Sequence, residues 1–249
     1  MYYIYIITVI VIIFVFFKLY ECLIELSIVK FIPDGETVDY KIINDNIFSI
    51  EDAKFFSQQI NKCPFIIDNP LNEGFKNSRG FLIEFTNNNL LEQFTKYNIE
   101  FLYDIFMKIK HPKCNRFLFN TLIIFPEKSN SEKSIQPHYD CTIQISEKQF
   151  PYRYYLPKCV NVIYIQLPNV FTGGQLELFT FHGLSQIPKQ TITPKLGRMV
   201  TFRGNLLHSV KSIYSNEAVP RISLIFEQYQ LPDTVKQSHI FSINKNEAI

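Results

Sequence analysis

His138-Tyr139-Asp140, followed by His208 and then Arg221, is the stretch on which the reading of this chain turns. Two histidines and one carboxylate are the ligand set that holds Fe(II) on one face and leaves other positions open. The His-x-Asp spacing has a geometric reason, because residues i and i+2 of a strand point to the same side. That places His138 and Asp140 toward one ion, with Tyr139 turned away. His208 comes 70 positions after His138, far enough to return on another strand. Arg221 adds a fixed cation with a fork of donors suited to a carboxylate, and alternation puts Ser223 on the same side of its strand.

The flanks carry further pattern. Phe171-Thr172-Gly173-Gly174-Gln175-Leu176-Glu177-Leu178 lies between the two halves of the triad. Pro194-Lys195-Leu196-Gly197-Arg198-Met199-Val200-Thr201-Phe202 then leads to Leu206-Leu207-His208-Ser209-Val210. Over 117–229 the chain resembles the 2-oxoglutarate and Fe(II)-dependent dioxygenases, in particular their prolyl 4-hydroxylase-like branch. The shared elements are H-x-D, a Gly-Gly-x-Leu turn, a P-x-x-G-r strand, a distal H-x-V and a basic residue near the end. The gap from His208 to Arg221 is thirteen residues, where that branch usually has about ten. A longer hairpin loop at 213–220 would absorb the difference.

Composition fits one catalytic domain with an appendage: 249 residues, 47% hydrophobic, including 24 Phe to fill a core. With 25 basic and 23 acidic residues there is no basic stripe for a nucleic-acid backbone. The five cysteines (Cys22, Cys63, Cys114, Cys141, Cys159) have no C-x-x-C spacing, which argues against a thiolate zinc site or a disulfide scaffold and for buried free thiols. Residues 2–17 are apolar apart from Thr8, with Leu19 and Tyr20 beyond Lys18. This is about the minimum length for a bilayer span, and it lacks a basic lead and a small-residue cleavage site. The expectation is a single-pass membrane protein with an uncleaved anchor over 1–20. Lys18 and Lys30 after the span, and the lack of an N-x-Ser/Thr acceptor, favour a cytoplasmic domain, whereas anchored relatives of the resembled branch commonly work in the lumen.

Between anchor and triad, 21–115 reads as a helical support region, with a turn at Pro33-Asp34-Gly35 and a short strand at 39–43. Ser49 and Asp52 form a capping-box signal for a helix running to about Lys62 that buries Phe55, Phe56 and Ile60 before Cys63-Pro64 ends it. A second helix opens at Asn89, and its stripe of Leu90, Phe94, Tyr97, Phe101, Leu102, Ile105, Phe106 and Ile109 predicts a packing face. Short β segments follow at 117–125, 142–146, 160–167, 175–179, 190–193, 199–203, 208–213 and 222–229. The predicted fold is mainly β with flanking helices: a double-stranded β-helix (jelly roll) over 116–232, plus the N-terminal transmembrane helix and a tail over 233–249. Residues 128–136 read as a polar loop at one lip of the pocket, and 147–158 as a second substrate loop.

The resemblance implies His138, Asp140 and His208 as the Fe(II) ligands, Arg221 and Ser223 as the 2-oxoglutarate clamp, and ascorbate as reductant. It implies no further catalytic acid or base. Where the branch often has a cosubstrate-binding Tyr before H-x-D, Phe125 stands here. Tyr164, Thr121 and Asn120 are the alternatives. His111, His182 and His239 lack a carboxylate partner and read as surface or turn residues. The implied reaction is hydroxylation of a peptidyl residue, proline first, on a protein or peptide partner. The rivals are oxidation of a lipid or small molecule at the membrane, and a non-catalytic membrane-anchored jelly-roll binding protein.

Overall fold

Residues 116–124 set the core pattern, with one side of the strand facing a barrel interior and the other facing helices. In the computed structural model the described residues are 11–16, 19, 29–30, 41–68, 78–127, 133–140, 143–145, 153–179, 190–232 and 239–240. Eight strands form the barrel: β1 (Arg116–Ile124), β2 (Lys133–His138), β3 (Cys159–Gln166), β4 (Leu176–Leu178), β5 (Gln190–Ile192), β6 (Met199–Arg203), β7 (His208–Lys211) and β8 (Arg221–Tyr229). One sheet has the order β1-β8-β3-β6 and the other β2-β7-β4-β5, all antiparallel. Two four-stranded sheets with these strand orders make a double-stranded β-helix. The larger sheet is extended by Lys41–Asn44 beside β6 and by Ser78–Gly80 and Leu82–Thr86 beside β1. The region before the barrel is therefore not purely helical, since it also supplies sheet edges.

Register decides which side chains enter the barrel. On β1, Asn120, Leu122 and Ile124 lie opposite Ile225, Ser223 and Arg221 of β8. Ile225 and Ser223 in turn face Val162 and Tyr164 of β3. Leu122, Ile124, Val160, Val162, Tyr164, Val200 and Phe202 meet Leu176, Leu178, Ile192 and Val210 of the smaller sheet in one buried cluster. The alternate residues, Phe117, Phe119, Ile123, Leu224 and Phe226, pack outward against the helices.

Helix α1 (Ile50–Asn61) starts with the expected box: Ser49 Oγ accepts from Asp52 N at 3.0 Å, and Asp52 Oδ2 accepts from Ser49 N at 3.1 Å. It buries Phe56 and Ile60, but Phe55 remains 45% exposed. Phe55 is one step of about 100° around the helix from Phe56 and leaves the buried stripe, touching Phe101 edge-on at 5.9 Å. The long second helix is broken into α2 (Leu90–Lys96), a 3-10 turn (Glu100–Leu102) and α3 (Tyr103–Ile109). Asn98 takes a left-handed φ of 55°, which a continuing helix does not allow, and Ile99 N donates to Phe94 O at 2.9 Å to close α2. The stripe still packs as one face, since Leu90, Phe94, Leu102, Ile105 and Phe106 are buried against the sheet.

Two barrel expectations change. The segment read as part of a polar lip loop contains β2, paired to β7 through His138↔His208 and Ile135↔Val210. The 142–146 segment does form a strand (Ile143–Ile145), but it belongs to a separate small sheet with Arg153–Tyr155, Val29–Lys30 and His239–Ile240. His239 lies on one of these strands. Only Ile135 carries a conventional apolar side chain between Lys133 and His138, so alternation alone gives β2 little signal.

Most of the expected anchor lies outside the described residues; 11–16 and Leu19 are helical, and their large apolar side chains are exposed. No helix among the described residues is long and apolar enough to cross a membrane. The turn at 33–35, Cys22, Cys141, His182, the loop residues 128–132 and 147–152, and most of the 233–249 tail also lie outside the described residues.

Candidate active site

β2 and β7 end side by side, and this brings His138 next to His208, with ring centroids 4.3 Å apart. Asp140 lies two residues past the end of β2, so it arrives from the turn after the strand and not from the strand itself. Its Oδ1 stands 3.5 Å from His138 Nε2 and its Oδ2 3.5 Å from His208 Nε2. One ligand atom from each of the three lies within 4.8 Å of the others. The group could hold one metal ion.

The far side of each imidazole is engaged. His138 Nδ1 is 2.8 Å from Gln136 O, and His208 Nδ1 is 3.1 Å from Leu206 O. A carbonyl only accepts, so each Nδ1 carries the proton and each Nε2 presents a lone pair to the shared centre. Phe202 closes one wall, edge-on to His208 at 4.9 Å between centroids. Burial depresses the His208 pKa to about 4, which keeps it neutral and ready to ligate. At His138, burial acts downward but is outweighed by the Asp140 carboxylate, and the pKa rises. Burial likewise opposes ionisation of Asp140, yet the two histidines hold its pKa below the usual carboxylate value. Asp140 Oδ2 is buried without a hydrogen-bond partner. Two imidazole nitrogens and an anionic oxygen left unsatisfied are chemically suited to Fe(II).

Arg221 begins β8 and is 1% exposed. Its Nε donates to Ser223 Oγ at 3.1 Å and its Nη1 to Gly174 O at 3.0 Å, and its guanidinium lies 4.9 Å from the centroid of the Tyr164 ring. No carboxylate forms an ion pair with it among the described residues. Burial pulls its pKa down. Such a charge, held in place and uncompensated, is built to receive an anion. Tyr164 is fully buried beside it, and its hydroxyl has no partner. Among the three alternatives for the missing Tyr, register puts Tyr164 and Asn120 inside the barrel, whereas Thr121 faces the helices. Arg198, a competing cation, is committed elsewhere: its Nε and Nη2 grip Asp45 at 2.6 and 3.0 Å. His111 sits in the turn after α3, where its Nδ1 accepts from Lys113 N at 3.2 Å.

The turn motifs position Arg221. Gly173 (φ 77°) runs so close to the segment after β7 that a Cβ would lie 2.0 Å from Ser212 O. That approach lets Thr172–Gly173 pair with Ile213–Tyr214 and delivers Gly174 O to Arg221. The longer connection before Arg221 is not the expected hairpin loop, because it crosses from β7 in the smaller sheet to β8 in the larger one, and it is ordered. Glu217 accepts from Asn169 N, Asn169 Nδ2 and Val170 N at 3.0, 3.2 and 3.0 Å, and Gln166 Nε2 donates to Pro220 O at 3.0 Å. The strand after it enters in register, Arg221 opposite Ile124.

No family model matches the chain, and no curated protein matches it by sequence. Among solved structures it is similar to a prolyl-4-hydroxylase from Pseudomonas putida, with 11% identity over 78% of this chain and 94% of that one, at a TM-score of 0.45. It is also similar to IDO from Bacillus thuringiensis, with 12% identity over 76% and 92% of the two chains and a TM-score of 0.48. A third is the viral collagen prolyl hydroxylase vCPH from Paramecium Bursaria Chlorella virus-1, with 17% identity over 79% and 98% and a TM-score of 0.41.

Proposed function

We propose that this chain is an Fe(II)- and 2-oxoglutarate-dependent dioxygenase that hydroxylates a peptidyl residue, proline first. One observation carries the reading. A His-Asp-His group whose ligand atoms converge stands in the same barrel as a buried arginine with no acidic partner among the described residues. When bound, the ferrous ion supplies O2-dependent oxidation coupled to conversion of 2-oxoglutarate to succinate and CO2, with ascorbate keeping it reduced. Gln136 O and Leu206 O orient the two imidazoles, and Phe202 shields His208 from water. Arg221, steadied by Ser223 and Gly174, takes the far carboxylate of the cosubstrate, and the Tyr164 hydroxyl, which is buried without a partner, donates to the same group. The choice of proline rests on the motif resemblance in the sequence. We further propose that 1–20 anchors the protein, because the described part of that stretch is helical and exposes apolar side chains.

The test is iron-dependent succinate formation by the purified chain, offered proline-rich peptides, lysine-containing peptides and fatty acids. Turnover stimulated by a proline peptide supports the full reading. Stimulation by a fatty acid moves the substrate to lipid, and metal-loaded protein that binds no 2-oxoglutarate leaves a binding protein. Resistance to carbonate extraction from membranes tests the anchor separately.

A further inference from the structure

The inner face of the larger sheet is organised in rows. Phe202, Val160, Glu227 and Leu118 are register partners across β6, β3, β8 and β1, and Phe202 touches His208, so this row lies at the level of the metal ligands. Tyr164, Ser223 and Leu122 form a row at the clamp, next to Arg221 and Ile124. Between them runs Val200, Val162, Ile225 and Asn120. Successive rows are about 7 Å apart along a strand, two residues of rise.

Three members of the middle row are apolar and the fourth is an amide. Asn120 is 3% exposed, and its Oδ1 has no hydrogen-bond partner. Ile225, directly opposite on the central strand β8, is only partly buried and packs against the barrel cluster. A buried amide without a partner in an apolar wall is costly unless something polar comes to meet it. An amide can turn about its last torsion and present Nδ2–H instead of Oδ1, so it can donate to an anion. In the reading above the ligand is an oxo diacid that would lie between the metal group and Arg221.

We infer that Asn120 is a binding residue for the cosubstrate, donating from Nδ2 to the 2-oxo-carboxylate head and orienting it toward His138, Asp140 and His208. The inference rests on the 2-oxoglutarate reading of the site and adds a contact between the clamp and the metal group. It also explains why an amide occupies a row that a leucine would fill without an orphaned group.

The test uses the full chain loaded with Zn(II), which binds the ligand set without turnover, and measures 2-oxoglutarate affinity by calorimetry beside the thermal midpoint without ligand. Asn120→Leu should weaken 2-oxoglutarate about tenfold to a hundredfold, the loss of one bond to a charged group. The ligand-free midpoint should stay or rise, because the orphaned amide is gone. Asn120→Asp, which keeps the shape but replaces the donor with an anion, should weaken binding more than Asn120→Leu. Asn120→Ser serves if the leucine variant does not fold, with the same loss expected. Unchanged affinity in folded Leu or Ser variants overturns the inference and leaves the dioxygenase reading intact. Wild-type protein that binds Zn(II) but no 2-oxoglutarate overturns both.

Discussion

Replacing Arg221 by methionine should move stability and ligand affinity very differently. Without ligand, the arginine makes bonds to Ser223 and Gly174 and stacks on Tyr164, while holding a charge at 1% exposure with no carboxylate partner among the described residues. Losing two hydrogen bonds costs roughly 1–3 kcal/mol, and losing the ring contact about 0.5–2 kcal/mol. Removing an uncompensated buried charge returns several kcal/mol, on the order of the same total, and methionine adapts well to the vacated volume. The ligand-free protein should therefore change by no more than about 1–2 kcal/mol, in either direction, after these opposing effects. Affinity for 2-oxoglutarate should fall by about 2–5 kcal/mol, roughly thirtyfold to a few thousandfold. Chemical denaturation of the ligand-free variant and calorimetric titration of the Zn(II)-loaded form give the two numbers. A destabilisation beyond about 4 kcal/mol with unchanged affinity would show that Arg221 serves the fold and not an anion.

Further expectations come from the same geometry. His208→Ala removes one of three ligand atoms around a shared centre, so metal analysis of the purified variant should find the ion lost; full retention would refute the assignment. Gly173→Ala introduces a Cβ 2.0 Å from Ser212 O at a φ of 77°. It should cost at least about 1–2 kcal/mol for the left-handed backbone alone, and should weaken 2-oxoglutarate by shifting Gly174 O away from Arg221. A melting point and affinity equal to wild type would contradict this. Burial raises the Cys159 thiol to about 12 from its ordinary value of 9.0, and burial also raises Cys114. Because the unfolded chain ionises first, the stability from these thiols is complete below pH 9 and declines as pH climbs toward 12. Denaturation at stepped alkaline pH should show that loss, and a Cys159→Ala variant should show less of it.

Several features were legible from local sequence because their physics is local. The Ser49-Asp52 box, the spacing of His138 and Asp140, and the β-rich runs of β1, β3, β6 and β8 depend on neighbours a few residues apart. Cys63, Cys114 and Cys159 are free and buried, as their unpatterned spacing implies. What the sequence left open depended on contacts between distant segments. β2 has too little alternation to announce itself and becomes a strand because β7 pairs with it, placing His138 opposite His208. The stripe from Leu90 to Ile109 looks continuous because its apolar spacing survives the break at Asn98, where only backbone geometry changes. Residues 120, 121 and 164 could not be ranked by type, since all three carry polar groups in β-rich sequence. Pairing of β1 and β3 with β8 sent Asn120 and Tyr164 inward and Thr121 toward the helices. A one-residue slip in either ladder would have reversed that outcome. Residue chemistry supplied the ligand set and the cation; cross-strand register, a non-local property, determined which side chains share their barrel.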